Sequence, residues 1–300
     1  MKHFLLPRLL FASACLLAPL SPAAAQAPLT GRVLAAASGQ PVAFATVGVK
    51  GHSVGSTTDE AGRFAFALPA AVAAADSVII SCIGYRAQRL TVGQLQSSPG
   101  AVWPLQPQAQ ALREVQVRHG RLVPAVLGRQ AVGGNAHWTT AIRDLSVAGA
   151  GPGAADERGW EVSTLLPVRK DCLLDAFHVY IEQNGFKPIR LRFTLYAVEN
   201  GKPRRQLLTD DIQFTIPGEQ TGWASVDLRS YNLQLPKGQT VAAGIQWLQG
   251  EKLPASDKAF GGPGAFPSAV HRVAVRDKSE AEWRVLPINV SMYLAVQQHE

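Results

Sequence analysis

An all-β protein of two sandwiches is the fold that this 300-residue sequence predicts, and three observations lead there. Apolar residues recur at every second position over short runs, and Gly, Pro, Asn and Asp punctuate those runs. The second half also shows no amphipathic helical periodicity. A hydrophobic share of 47% and a charged share of 17% are ordinary for packed globular material, and the length allows two cores of usual size.

An export signal is expected at the start of the chain. Lys2 and Arg8 flank or interrupt the apolar run from Phe4 to Leu20, and Ala23-Ala24-Ala25 offers the small residues a signal peptidase reads, so residues 1–25 are expected to be removed before Gln26. A membrane anchor fits less well, because the run is short and broken by Pro7 and Pro19. Cys15 lacks a large aliphatic residue just before it, which argues against lipoprotein processing. No transmembrane span is expected after cleavage.

The first domain, residues 26–118, reads as strands and turns. Leu29, Gly31 and Val33 share a face; Ser38-Gly39-Gln40-Pro41 ends that strand; Ala45, Val47 and Val49 form the next inward face, with Thr46 and Lys50 turned the other way. Thr58-Asp59-Glu60-Ala61-Gly62 is a hairpin turn, and Phe64, Phe66 and Leu68, then Val78, Ile80 and Cys82, alternate beyond it. Strands of this length and spacing predict a sandwich.

The same stretch closely resembles the carboxypeptidase-regulatory-like, transthyretin-like (Ig-like) β-sandwich domain of Bacteroidetes envelope proteins, which often precedes the plug of TonB-dependent outer-membrane transporters. The resemblance rests on Gly31-Arg32-Val33, Gly39-Gln40-Pro41, Ala45-Thr46-Val47, Thr57-Thr58-Asp59, Gly62-Arg63-Phe64 and Ile83-Gly84-Tyr85, and runs to about Val117 through Leu112-Arg113-Glu114-Val115-Gln116-Val117. It implies a non-catalytic envelope module. The chain is too short for a plug and a barrel of many ~10-residue strands, so a stand-alone relative of the transporter extension is expected.

Residues 119–158 read as a linker, with Gly133-Gly134, the run 148–153 and little periodicity, although Trp138, Ile142 and Leu145 are candidates to dock on a sandwich. Residues 159–300 then predict a second sandwich, jelly-roll-like. Leu173, Phe177, Val179 and Ile181 share a face, Asn184-Gly185 follows as a turn, and Ile189, Leu191, Phe193, Leu195 and Ala197 alternate up to Asn200-Gly201; this reads as the best-defined hairpin of the protein. Further strands are expected at Ile212–Ile216, Ala224–Leu228, Val241–Trp247 and Ile288–Val296. The stretch from Phe193 to Leu228 is similar to C-terminal jelly-roll-like domains of Bacteroidetes envelope proteins, and that similarity brings no active site with it.

The formal net charge is +7, and loss of Lys2 and Arg8 on cleavage would leave 7 − 2 = +5, too diffuse for a nucleic-acid groove. The dense region is 187–205. There Arg190 and Arg192 share the outward face of a strand with Thr194 and Tyr196, and Arg190, Arg192 and Tyr196 are the candidate ligand-binding residues for an acidic partner such as an anionic glycan or lipid head group.

Catalytic signals are weak. Gly51-His52-Ser53-Val54-Gly55 satisfies G-x-S-x-G, but a hairpin follows it where a hydrolase needs a strand-to-helix elbow. Asp210-Asp211 and Asp171 with Asp175 are candidate glycosidase pairs, yet neighbours on a strand point to opposite faces. His119, His137, His178, His271 and His299 are scattered, and Asp59, Glu60 and Gly62 lack the other acidic positions of a calcium loop, so no metal or cofactor is expected. Trp160, Trp223, Trp247 and Trp283 are candidates for a sugar-stacking platform, with Trp247 assigned to the core by its strand neighbours. Asn289-Val290-Ser291 matches a glycosylation sequon in mid-strand and carries no weight. Cys82 and Cys172 are expected to be buried free thiols. The reading is a non-enzymatic, exported envelope protein, compatible with a monomer, that binds an envelope protein or glycan; a cell-surface glycan or ester hydrolase is the alternative.

Overall fold

The computed structural model describes residues 28–108, 121–140, 157–254 and 256–299, and it is all-β. The expected signal segment and Ile142 and Leu145 lie outside the described residues.

The first sandwich is built from β1 (Leu29–Ala35), β2 (Thr46–Val49), β3 (Gly55–Thr57), β4 (Arg63–Phe66), β5 (Ser77–Ser81), β6 (Gln88–Thr91), the short helix α1 (Val92–Gln96) and β7 (Val102–Leu105). A three-stranded sheet, β4-β1-β7, packs on a four-stranded sheet, β3-β2-β5-β6. Val33, Ala45, Val47, Val49, Val78 and Ile80 are wholly buried in the core between them, in the expected alternation. Thr91 and Gln94 start α1 with a reciprocal capping box, Oγ1 of Thr91 accepting from the Gln94 amide and the Gln94 side chain accepting from the Thr91 amide.

One departure matters for function. All four residues of β2 are buried, so its second face, expected to meet solvent, is covered too. The cover is the second sandwich.

That second body runs through β8 (Leu122–Gly128), β9 (Ala136–Thr139), β10 (Glu161–Pro167), β11 (Cys172–Ile181), β12 (Gln183–Asn184), β13 (Ile189–Glu199), β14 (Lys202–Gln206), β15 (Gln213–Ile216), β16 (Gly222–Asp227), β17 (Gln234–Leu235), β18 (Thr240–Gln249), β19 (Phe260–Ala265), β20 (Arg272–Arg276), β21 (Arg284–Leu286), β22 (Asn289–Val290) and β23 (Met292–His299). A seven-stranded sheet has the order β14-β13-β18-β10-β20-β21, with β15 also on β13. It faces a five-stranded sheet, β16-β11-β23-β8, with β17 on β11. Strands β12, β19, β22 and β9 form a smaller sheet. Within the segment read as a linker, β8 pairs with β23 and β9 with β19, and Trp138 is 1% exposed in the second core.

The expected hairpin at Asn184-Gly185 is replaced by a change of sheet. Strand β11 belongs to the five-stranded sheet and β13 to the seven-stranded one, so their apolar faces meet across the core, with the Phe177 and Phe193 rings 5.0 Å apart. Asn184 is buried and fixes the crossing: its amide nitrogen donates to the Pro217 and Gln220 carbonyls and its oxygen accepts from the Phe186 amide. A bulge between Leu174 and Ala176 also shifts the inward set of β11, so Leu174 is buried where alternation alone selects Leu173. The true hairpin lies one turn later. Asn200 (φ 52) and Gly201 (φ 74) adopt the left-handed pair that a two-residue hairpin needs, and they join β13 to β14.

Candidate functional site

Two surfaces of the second sandwich hold its functional-looking residues. On the outer face of the seven-stranded sheet, register places Arg192 of β13 opposite Gln246 of β18, Gln246 opposite Glu161 of β10, and Glu161 opposite Arg276 of β20. Four strands thus contribute one polar row. Its side chains close on one another: Arg192 Nη1 donates to Gln246 Oε1 (2.6 Å), Gln246 Nε2 to Glu161 Oε1 (3.1 Å), and Arg276 Nη2 to Glu161 Oε1 (2.7 Å). Tyr196 adds its hydroxyl to Glu161 Oε2 (2.8 Å). Asp211 takes two hydrogen bonds from Arg192, at Nε (2.5 Å) and Nη2 (2.8 Å), so two guanidinium groups meet two carboxylates with no surplus charge.

The row is covered. Glu161 is 0% exposed and Arg192 3%. Trp283 lies over one end, its ring 4.3 Å from the Arg276 guanidinium and edge-on to Tyr196. Burial alone would lower the pKa of Arg192; the hydrogen bonds and charge of Asp211 outweigh it and raise it, so the guanidinium stays charged. Burial first, and then the Glu161 charge, push the Tyr196 phenol well up, so Tyr196 is a neutral donor here.

The first sandwich covers the other end. Arg192 Nη2 donates to the Phe44 carbonyl (3.1 Å), and Arg190 stands 5.1 Å over the Phe44 ring while pairing with Glu60 (3.4 Å). Phe44 has φ 55, uncommon for a bulky residue, and this backbone conformation accompanies the carbonyl's contact with Arg192. Next to it, the Thr46 hydroxyl approaches Ser279 Oγ (3.5 Å), Thr57 Oγ1 donates to the Leu248 carbonyl (3.3 Å), and the Gly51 amide donates to the Glu280 carbonyl (2.9 Å). A Cβ on Gly48 would lie 2.9 Å from Glu280 Cγ, so the absent side chain is what lets the bodies approach.

Arg190, Arg192 and Tyr196 therefore do share one strand face, and that face is the seam. Arg192 and Tyr196 are satisfied inside the protein; Arg190 alone keeps a partly exposed side chain. Their sequence signal was correct in parity and silent about what lies above the strand.

The other motifs resolve individually. Ser53 sits in the turn between β2 and β3, its hydroxyl donating to Asp277 (3.3 Å), while His52 approaches a different carboxylate, Asp76 (3.5 Å). Asp59 accepts from the Arg63 amide and closes its turn. Asp210 accepts from Thr209, Asp211 belongs to the seam, Asp171 accepts from the Lys237 amide, and Asp175 accepts from Gln297. Among the described residues no group of three His, Cys, Asp or Glu converges as a metal site. Cys82 and Cys172 are free thiols, both pushed up to about 11 by burial. Trp160, Trp247 and Trp283 are buried, which leaves Trp223 as the surface member of the proposed platform.

Trp223 does not stand alone. It lies opposite Tyr180 on the outer face of the five-stranded sheet, and both Tyr180 (5.3 Å) and Tyr293 (5.0 Å) meet its ring edge-on. His178 stacks on Tyr293 at 4.3 Å and shares a 2.6 Å hydrogen bond with Ser225; burial lowers its pKa, so the imidazole is neutral near pH 7. The face continues through Ala176 and Ala295 to Leu122, Pro124 and Val126 on β8, with Leu122 43% and Val126 41% exposed, and the same register sets Ser225, Asp227, Gln297 and His299 among them. An antiparallel sheet normally turns polar residues to water on such a face. Sequence reading found Trp223 but missed Tyr180, His178 and Tyr293, whose grouping depends on the β16-β11-β23 register.

Comparison with curated proteins gives no match to the chain. Residues 29–117, the first sandwich and the segment after it, match the family model described as CarboxypepD_reg-like domain.

Proposed function

We propose that this is a non-enzymatic, exported protein of the cell envelope that recognises a glycan through the open aromatic face of its second sandwich. The observation that carries the reading is the group of partly exposed rings of Tyr180, Trp223, Tyr293 and His178 on a sheet face that no other described element covers. Aromatic rings with polar tips suit a sugar, whose C–H face lies on a ring while its hydroxyls bond the phenols, the imidazole and Ser225. The regulatory character of the matched first domain supports a binding role, and Lys2, Arg8 and Ala23-Ala24-Ala25 support export. No helix among the described residues is long and apolar enough to cross a membrane. The apolar strip of Leu122, Pro124 and Val126 favours a second reading, in which an envelope protein covers the same face.

A glycan array probed with the wild-type protein and Trp223→Ala tests both. Saturable binding without turnover, weakened about tenfold or more by the substitution, supports glycan recognition. Loss of a cross-linked envelope protein from the variant, with a blank array, supports the second reading. Array and cross-linking patterns identical for the two proteins would remove this face from the function.

A further inference from the structure

We infer that a cleft at the seam of the two sandwiches is a binding site for a small α-amino acid, held by its carboxylate and its ammonium group at once. The site is separate from the aromatic face and does not depend on the reading above.

The cleft has a volume of about 240 Å³ and is lined by Lys50, Ile79, Ala87, Gln88, Arg89 and Glu280. Register places Gly48, Ile79 and Arg89 in one row on the outer face of β2, β5 and β6. Glu280 reaches this row from the second sandwich: its carbonyl accepts from the Gly51 amide, and its side chain lies over the bare Cα of Gly48. Its side chain thus overhangs the row at Gly48, with the charges of Lys50 and Arg89 acting on its carboxylate.

The three charges do not pair. Among the described residues, the side chains of Lys50, Arg89 and Glu280 make no hydrogen bond or ion pair, although all border one space. A partly buried carboxylate without a donor is costly; burial raises the pKa of Glu280, with the positive charge of Arg276 opposing. Lys50 and Arg89 are exposed and Glu280 is partly buried, and a ligand with one anionic group for the two cations and one cationic donor for Glu280 would pair all three; an α-amino acid carries these two groups one carbon apart. Arg89 suits bidentate capture of a carboxylate, and Ile79 and Ala87 offer apolar contact. Two cations against one carboxylate leave an excess positive charge, which favours an acidic side chain. The position agrees with the general preference of small-ligand sites for domain interfaces.

Titrating the full-length protein with L-glutamate and with glutarate, which lacks the amine, tests this by backbone-amide NMR shifts. Glutamate is expected to saturate shifts around residues 50, 89 and 280 at millimolar concentration, with glutarate about tenfold weaker. Arg89→Ala should weaken both ligands, Arg89→Lys should restore part of the loss, and Glu280→Gln should erase the preference for glutamate. Absence of saturation up to ~20 mM would overturn the site, as would equal affinity for the two ligands or wild-type binding by Glu280→Gln and Arg89→Ala. Unchanged amide spectra away from the cleft show that each variant is folded.

Discussion

The outer face of the seven-stranded sheet carries Arg192, Gln246, Glu161 and Arg276 and is covered, whereas the outer face of the five-stranded sheet carries Tyr180, Trp223 and Tyr293 and is open. Residue type alone would assign them the other way round. Polar side chains can be buried when their charges are matched: Arg192, Gln246, Glu161 and Arg276 each bond a neighbour one strand away and Asp211 balances the last guanidinium, while the Thr194 hydroxyl and Arg276 Nε stay buried without a partner among the described residues. Among the described residues the aromatic face has no such closure, and its rings stay partly exposed. The difference is one of satisfaction across strands, which residues along a single strand do not reveal.

The largest test of this contrast is Glu161→Ala. It leaves the Arg276 guanidinium buried without its carboxylate and the Tyr196 hydroxyl without its acceptor, and is expected to cost roughly 3–5 kcal/mol in denaturant unfolding. A cost below ~1 kcal/mol would mean that the row is dispensable. Gly48→Val should come next, destabilising by about 1–3 kcal/mol through overlap with Glu280, with Gly48→Ala milder.

Two thiols report on the two regions through pH. Folding raises each from 9.0 to about 11, so their contribution to stability is complete below pH 9 and is lost as pH rises through 11. Thermal midpoints should therefore fall across this window, and Cys172→Ala should flatten the fall. Cys82→Ala should flatten it as well, since Cys82 is shielded beside Arg192 and Asp211; an unchanged slope would show that the first sandwich does not close over the seam. The smallest effect is expected from Thr194→Val, which removes a buried hydroxyl that has no hydrogen-bond partner among the described residues and should be neutral or stabilising by less than ~1 kcal/mol.

Much of the fold was legible in the sequence, because period-two alternation writes one buried face per strand. Leu29 to Ala35, Arg63 to Phe66 and the inward positions of Ile189 to Ala197 follow it closely. Four things escaped. Strand β19 reads Phe-Gly-Gly-Pro-Gly-Ala and has almost no side chains with which to alternate; a Cβ on Gly261 or Gly262 would come within 2.2 Å of the Trp138 or Tyr180 carbonyl, so bare backbone is what the packing requires there. The bulge near Asp175 changed parity inside a strand, and the Asn184 crossing imitated a hairpin turn. The capping box at Thr91 and Gln94 was present in the sequence, but the helix it starts is only five residues long and carries no full period.

The site was less legible than the fold. Arg190, Arg192 and Tyr196 were assigned to one face correctly, while the cover over that face comes from Phe44, Thr46 and Ser279, distant in sequence. Trp223 was selected by residue type; its companions Tyr180, His178 and Tyr293 became a group only through the order β16-β11-β23.

Hydroxyl-radical footprinting of the native full-length protein tests the exchanged polarity of the two faces most directly, because it reads aromatic side chains by their access to solvent. The account predicts oxidation at Trp223 and Tyr293 with Tyr196 and Trp283 protected. Rapid oxidation of Tyr196 and Trp283 together with protection of Trp223 and Tyr293 would contradict it.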